Sequence, residues 1–425
     1  DRPLRGAAGA SQLEVNAVGR VIRELGRTEG QPGRELVLTL DVVLQRYAME
    51  RLGEEAGAVV VLDVKTGAVI VQASTPSYDP NAFTEGLSSA EWRSLADNER
   101  APLRNKAIAG EYAPGSTFKM IVALAALDAG VINADTSFFC SGSMVLGDGK
   151  FHCWKRNGHG QVDLENGIAQ SCDVYFYETA MRVGIDRIAA MANRFGLGGR
   201  LDLDIPGERR GLVPTKAWKE AVIGQRWAIG ETLIAGIGQG FMLATPLQLA
   251  VMAARIANGG KAVVPHFVRD MLDDVSIAER PAKEPPDIGV SSRHLALIRS
   301  AMDKVVNGAR GTARGSQLEF PDAAMAGKTG TAQVRRISRR ERELGVLKNA
   351  DLPWRYRDHA LFVAFAPVDK PRYAISVVVE HGGGGSSVAA PIARDVMTRT
   401  LERDPARQAP GADVADLPSA RVRGG

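Results

Sequence analysis

From Glu35 onward the chain alternates short β-rich runs with stretches of helical period. Leu36-Val37-Leu38-Thr39-Leu40 reads as a strand, and Asp41 as the N-cap of a helix carrying Val43, Leu44, Tyr47, Ala48 and Leu52. Two apolar runs, residues 58–64 and 68–73, flank Lys65-Thr66-Gly67, with Asp63 and Gly67 supplying turn chemistry; they predict a hairpin. From about 116 to 260 the pattern is helical with loop insertions, including 243–256 after Thr245-Pro246. Strands return at 325–334, 359–367 and 373–379, and 391–401 closes as a helix. Residues 1–35 are rich in Gly and Arg, with Val15, Val18, Val21 and Ile22 as short strand material, and look too thin to fold alone. After about Pro405 the chain turns polar with scattered Pro, Gly and Ala, and mobility is expected over 406–425. There is no internal repeat.

At 425 residues the chain has room for a large core, and 45% apolar with 24% charged residues is ordinary globular composition. A net charge of +4 makes no case for nucleic acid. No uncharged apolar run reaches the ~18 residues of a membrane span, and no signal peptide is present. The start at Asp1, without Met, suggests a processed or truncated product, with room for an anchor in its upstream part.

Candidate chemistry begins at Ser116-x-x-Lys119, just after Ala113-Pro114-Gly115 and opening the apolar run 120–127. Pro and Gly end the preceding segment, so Ser116 falls in the first helical turn, where unpaired N–H groups and the positive dipole end face a site. Residues three apart share a helix face, which brings the Lys119 amine within reach of the Ser116 hydroxyl as its base. A lone tetrad of this kind also suits a helix start with an exposed lysine. Two further motifs change the reading: Ser171-Cys172-Asp173 and Lys328-Thr329-Gly330-Thr331 follow in order. Order also dismisses two decoys. Lys65-Thr66-Gly67 is a hairpin turn, and Ser77-Tyr78-Asp79 precedes the nucleophile and ends at Pro80.

These three elements are those of the penicillin-recognising serine acyltransferases. Strands at both ends with helices between them resemble the serine transpeptidase fold: α+β, an antiparallel sheet flanked by helices, with an inserted all-helical subdomain that holds the nucleophile. More narrowly, Glu14-Val15-Asn16, Leu38-Thr39-Leu40-Asp41, Ser74-Thr75-Pro76-Ser77-Tyr78-Asp79-Pro80-Asn81, Gly236-Ile237-Gly238-Gln239-Gly240 and Gly330-Thr331-Ala332-Gln333-Val334 resemble the penicillin-binding protein 2 family, the elongation-type class B peptidoglycan D,D-transpeptidases. The resemblance implies a pedestal remnant over 1–35 and a transpeptidase domain over 36–405. It implies that Ser116 attacks the penultimate D-alanine of a peptidoglycan stem peptide while Lys119 takes its proton. Ser171 would relay a proton to the leaving D-alanine, and Asp173, where many relatives have Asn, would orient Lys119. Lys328, Thr329 and Thr331, with Gly330 between the threonines, would bind the substrate carboxylate. The N–H groups of Ser116 and Thr331 would form the oxyanion hole. β-Lactams would acylate Ser116. The implied location is the bacterial inner membrane with a periplasmic catalytic domain, and the implied partners are a RodA-type glycosyltransferase and the elongation complex, through the missing N-terminal region. A β-lactamase or D,D-carboxypeptidase shares the same motifs, and so does a non-catalytic penicillin sensor.

Cys140, Cys153, His159 and Cys172, spaced Cys-x12-Cys-x5-His-x12-Cys, are four possible metal ligands. Thiolate and imidazole suit tetrahedral zinc, and four protein ligands would make the site structural. Spacing alone leaves two other readings open: a Cys140–Cys153 disulfide with Cys172 buried, or three unrelated thiols. The resemblance favours Zn(2+), because part of the family carries a metal site in this loop region; Asp148 and His152 are possible substitutes. Since Cys172 is the middle residue of the second motif, a metal there would brace that motif from behind. Arg335 to Arg342 reads as a solvated loop, His359 and His381 as structural, and Tyr112, Trp154 and Trp354 as groove or core aromatics.

Overall fold

A computed structural model of the protein describes residues 2–272, 284–320, 322–335 and 337–407, so the tail expected to be mobile lies, from residue 408 on, outside the described residues. Near the N-terminus β1 (Ala10–Val15) and β2 (Val21–Thr28) form an exposed antiparallel hairpin. β3 (Glu35–Leu38) is followed by α1 (Val42–Leu52), whose first turn is capped by Asp41 through Val43 N–H and Leu44 N–H. β4 (Gly57–Asp63) and β5 (Val69–Thr75) then form the predicted hairpin. In its turn Asp63 accepts from the N–H groups of Lys65 and Thr66, and Gly67 takes φ +82°.

α2 (Lys119–Asp128) is sheathed in apolar side chains and buried along nearly its whole length. The insertion that follows contains features the hydrophobic pattern does not predict. β6 (Phe138–Cys140) pairs with β9 (Gly160–Val162), and between them β7 (Ser143–Leu146) pairs with β8 (Gly149–His152). Helices resume with α3 (Leu164–Ala169), α4 (Asp173–Val183) and α5 (Pro246–Ala257), the last opened by a Thr245/Gln248 capping box with Pro at its first position. β10 (Val268–Leu272) pairs antiparallel with β3, so the first predicted strand joins a small sheet of its own.

After α6 (Ser292–Val306) come β11 (Ala326–Ala332), β12 (His359–Ala366), β13 (Tyr373–Val379) and α7 (Ala390–Glu402). The main sheet runs β11-β12-β13-β4-β5, antiparallel throughout. β4, β12 and β13 are buried on both faces, which explains their continuous apolar runs. α5 covers β4, β12 and β13, while α1 and α7 pack together against the sheet. β11 is an edge strand, and its free side meets the short 3-10 turn Gly115–Phe118 that leads into α2. That meeting makes one wall of a cleft. Among the described residues no helix is long and apolar enough to cross a membrane.

Candidate active site

Ser116 sits in the 3-10 turn, half-buried, while Thr117, Phe118 and Lys119 behind it are buried. Three close approaches fix the turn. Gly115 takes φ +54° and donates its N–H to Gly238 O at 2.9 Å. A Cβ at Gly115 would lie 2.6 Å from Thr331 O, and one at Gly238 would lie 2.1 Å from Gly115 O. Only glycine fits at either place. The Gly236–Gly240 string is thus a support for the nucleophile turn.

The Lys119 amine does not hydrogen-bond to Ser116. Its Nζ donates to Asp173 Oδ1 at 2.7 Å, Ser171 O at 2.9 Å and Ser171 Oγ at 3.2 Å. The helix-face argument places Cβ atoms; here the first turn is 3-10, and the flexible amine goes to the strongest acceptor, a buried carboxylate. The Phe176 ring lies 5.4 Å beyond the ammonium. From the opposite wall Lys328, fully buried in β11, sends its Nζ to Ser171 Oγ at 2.9 Å and to Thr329 O at 2.9 Å. Burial and the neighbouring Lys119 charge hold the Lys328 amine well below the usual lysine range, against the opposing pull of Asp173. Ser171 Oγ therefore accepts from both lysines.

Ser171 itself is strained. It is a non-glycine residue at φ +54°, in the tight turn between α3 and α4. Asp173 and Ser171 do not act as the side-chain cap of α4, since the Asp173 carboxylate is spent on Lys119 and on Trp154 N–H, 2.8 Å from its Oδ2. The Lys328 amine faces inward to Ser171, which leaves the Thr329 and Thr331 side chains nearer the cleft surface. Thr329 Oγ1 bonds to Thr312 Oγ1 at 2.8 Å, and Gln239 Nε2 donates to Thr331 O at 2.9 Å. In an antiparallel strand the N–H and C=O of one residue point to the same side, so the Thr331 N–H shares this free edge beside Ser116. Gly330 packs under it against Thr117 and Pro114.

The three cysteines are free thiols, which removes the disulfide reading. Their sulfurs and a His159 nitrogen all lie within 4.8 Å of one another, while Asp148 and His152 stand outside the group. His159 Nδ1 is 3.6 Å from both Cys140 Sγ and Cys153 Sγ. Ligands of a tetrahedral zinc with ordinary Zn–S and Zn–N bonds are about 3.6–3.8 Å apart, so the donor set and its spacing fit that ion. A hydrogen bond between Cys172 and Cys153 holds the Cys153 thiol down and pushes Cys172 up, with burial adding to the rise, so the two thiols share a proton between them. The cluster touches the second motif twice: Cys172 lies within it, and Asp173 N–H donates to Cys153 Sγ at 3.4 Å.

The penicillin binding protein transpeptidase domain model matches residues 57–398. The chain belongs to the penicillin-binding protein transpeptidase family. Among its members, the peptidoglycan D,D-transpeptidase MrdA of Haemophilus influenzae is 40% identical over 408 residues, covering 94% of this chain and 61% of that protein. The chain thus spans about three fifths of the length of such relatives. Pseudomonas aeruginosa PBP2, solved in complex with WCK 5153, is 41% identical with a TM-score of 0.78, covering 89% of this chain and 78% of that one. Helicobacter pylori PBP2, solved in complex with MreC, is 33% identical with a TM-score of 0.80, over 93% and 69%. The α+β transpeptidase fold is therefore as the motifs imply. Gln239, Thr312 and the bonding of Trp154 are the site features that sequence reasoning missed; of these only Gln239 left a trace, as part of the Gly236–Gly240 string.

Proposed function

We propose that the chain is a peptidoglycan D,D-transpeptidase domain acting through a Ser116 acyl-enzyme. The observation that carries this reading is the linkage of both lysines through Ser171 beside a half-open serine turn. Ser116 Oγ attacks the carbonyl of the penultimate D-alanine of a stem peptide, and its proton passes to Lys119, whose amine must first be neutral. The collapsing tetrahedral intermediate expels the nitrogen of the terminal D-alanine. Ser171 Oγ, which accepts from both amines, delivers its own proton to that nitrogen and is reprotonated by a lysine. The Ser116 and Thr331 N–H groups face the developing oxyanion. Thr329 and Thr331 meet the terminal carboxylate, with the Lys328 amine behind them. An amine of a second stem peptide then takes the acyl group and frees Ser116. β-Lactams, which mimic D-Ala-D-Ala, acylate the same serine.

Cys140, Cys153, His159 and Cys172 would hold Zn(2+). With four protein ligands and no open position, it would brace the structure rather than supply a reactive water. We assign the domain to the periplasmic side of the bacterial inner membrane and to the elongation machinery, with a RodA-type glycosyltransferase as partner; the solved complex of the Helicobacter pylori relative with MreC supports this setting. The test is a soluble D-Ala-D-Ala pentapeptide donor with a peptide amine acceptor. A cross-linked dimer with stoichiometric D-alanine release is expected. Release of D-alanine with hydrolysis only would make the chain a carboxypeptidase, and no release would make it a sensor.

A further inference from the structure

Trp154 is out of place for an apolar side chain. It is 59% exposed, yet its polar edge points inward. The indole N–H is shared between Gln170 O and Ser171 O, 3.1 Å from each, and the ring meets His159 edge-on at 5.4 Å between centroids. Its backbone N–H donates to Asp173 Oδ2 at 2.8 Å. One residue thus bonds to both ends of the second motif and to neither wall of the core.

The Ser171 carbonyl is the point of interest. It accepts Lys119 Nζ at 2.9 Å and the indole N–H at once, and it belongs to the residue held at φ +54°. A non-glycine residue stays in that conformation only when its surroundings over-determine it. Two backbone bonds contribute: Ser171 N–H to Ile168 O fixes the N-terminal side of the turn, and Cys172 N–H to Gly167 O, at 2.9 Å, pins the far edge of the peptide plane that carries the Ser171 carbonyl. The carbonyl oxygen itself is held by Lys119 and Trp154. If the indole is lost, the plane keeps its Gly167 bond but the carbonyl can tilt away from the lysine, and one of three acceptors around the amine is weakened.

We propose that Trp154 is a positioning residue for the acylation step: its indole N–H fixes the Ser171 carbonyl, and through it the Lys119 amine. This rests on the acyl-serine reading above. It is separate from the cysteine cluster, because the relevant group is an N–H that no metal touches.

The experiment replaces Trp154 by β-(3-benzothienyl)alanine, which keeps the bicyclic shape and puts sulfur in place of the N–H, alongside Trp154→Phe. Stopped-flow acylation by a fluorescent penicillin separates non-covalent affinity from the acylation rate constant, and zinc content and melting temperature are measured on the same samples. The expected result is a rate constant lowered about tenfold in both variants, the size of one lost hydrogen bond in a transition state. Non-covalent affinity should stay within twofold, with zinc content and melting temperature those of the wild type. An analogue that acylates within twofold of wild type overturns the proposal, as does a loss that tracks zinc content or melting temperature. A wild-type protein that no penicillin acylates would instead remove the acyl-serine reading, and this role with it.

Discussion

The two walls of the cleft come from one chain but are held by different means. On the sheet side, every residue of β11 from Ala326 to Ala332 is paired in register with β12, from Phe365 to His359, and the ladder continues through strands buried on both faces. Lys328 is fixed by a backbone ladder that no single side chain supplies. On the insertion side, Ser171 to Asp173 sit in a strained turn between two helices, held by only two backbone bonds and otherwise by the side chains of Lys119, Trp154 and Cys153. A ladder spreads its stability over many equivalent bonds, whereas a turn clamped by side chains stands or falls with a few of them. The insertion wall should therefore be the one that single substitutions and chelators break.

The largest effect is expected where both walls meet. Lys119→Ala removes the proposed base and the donor that holds Ser171, and the penicillin acylation rate should fall on the order of 10³-fold. Stopped-flow kinetics would check this; a loss below tenfold would contradict it. Asp173→Ala should come next. It leaves the fully buried Lys119 charge without its 2.7 Å partner, so urea unfolding should show a loss of about 3–5 kcal/mol, with acylation slowed roughly a hundredfold. Chelation is the third test: protein verified to be zinc-free should acylate about tenfold more slowly, because groups that orient a site from behind are typically worth that much. Equal rates would show that the insertion wall stands without a metal. On the sheet side Gln239→Ala, which frees only the Thr331 carbonyl, should cost about threefold, since the ladder keeps β11 in place.

The smallest effect on acylation is expected at His359, the first residue of β12, opposite Ala332. Burial, with the neighbouring His381 charge, lowers its pKa from 6.5 to about 4. The folded chain thus refuses a proton that the unfolded chain accepts, so stability is lost as the pH falls from about 6.5 towards 4, by up to about 3 kcal/mol, and is regained above that window. His359→Gln should flatten this slope in urea unfolding between pH 4 and 6.5 while leaving acylation at pH 7.5 within twofold. An unchanged slope would place the titrating group elsewhere.

Much of this architecture was legible in the sequence because it is locally encoded. Asp41 caps the helix its position predicts, and the apolar runs that became β4, β12 and β13 are the strands buried on both faces. Ser116, Lys119, Ser171, Asp173 and Lys328 were singled out by motif order, and the last four meet in one hydrogen-bonded group. What stayed hidden depends on distant partners. The strands β6 to β9 are three or four residues long, too short for an alternation to show. Gln239 reaches a carbonyl 92 positions away, and Trp154 reaches one 17 away; no local period carries either bond. The i, i+3 rule predicted where Lys119 starts but not where its amine ends, because Asp173 lies 54 positions further on.

The central claim is that Ser116 is the residue acylated. Intact-protein mass spectrometry after incubation with a labelled penicillin, followed by peptide mapping, tests it most directly. The account predicts one persistent adduct per chain, located on Ser116 and absent from Ser116→Ala. No adduct, or an adduct on any other residue, would contradict it.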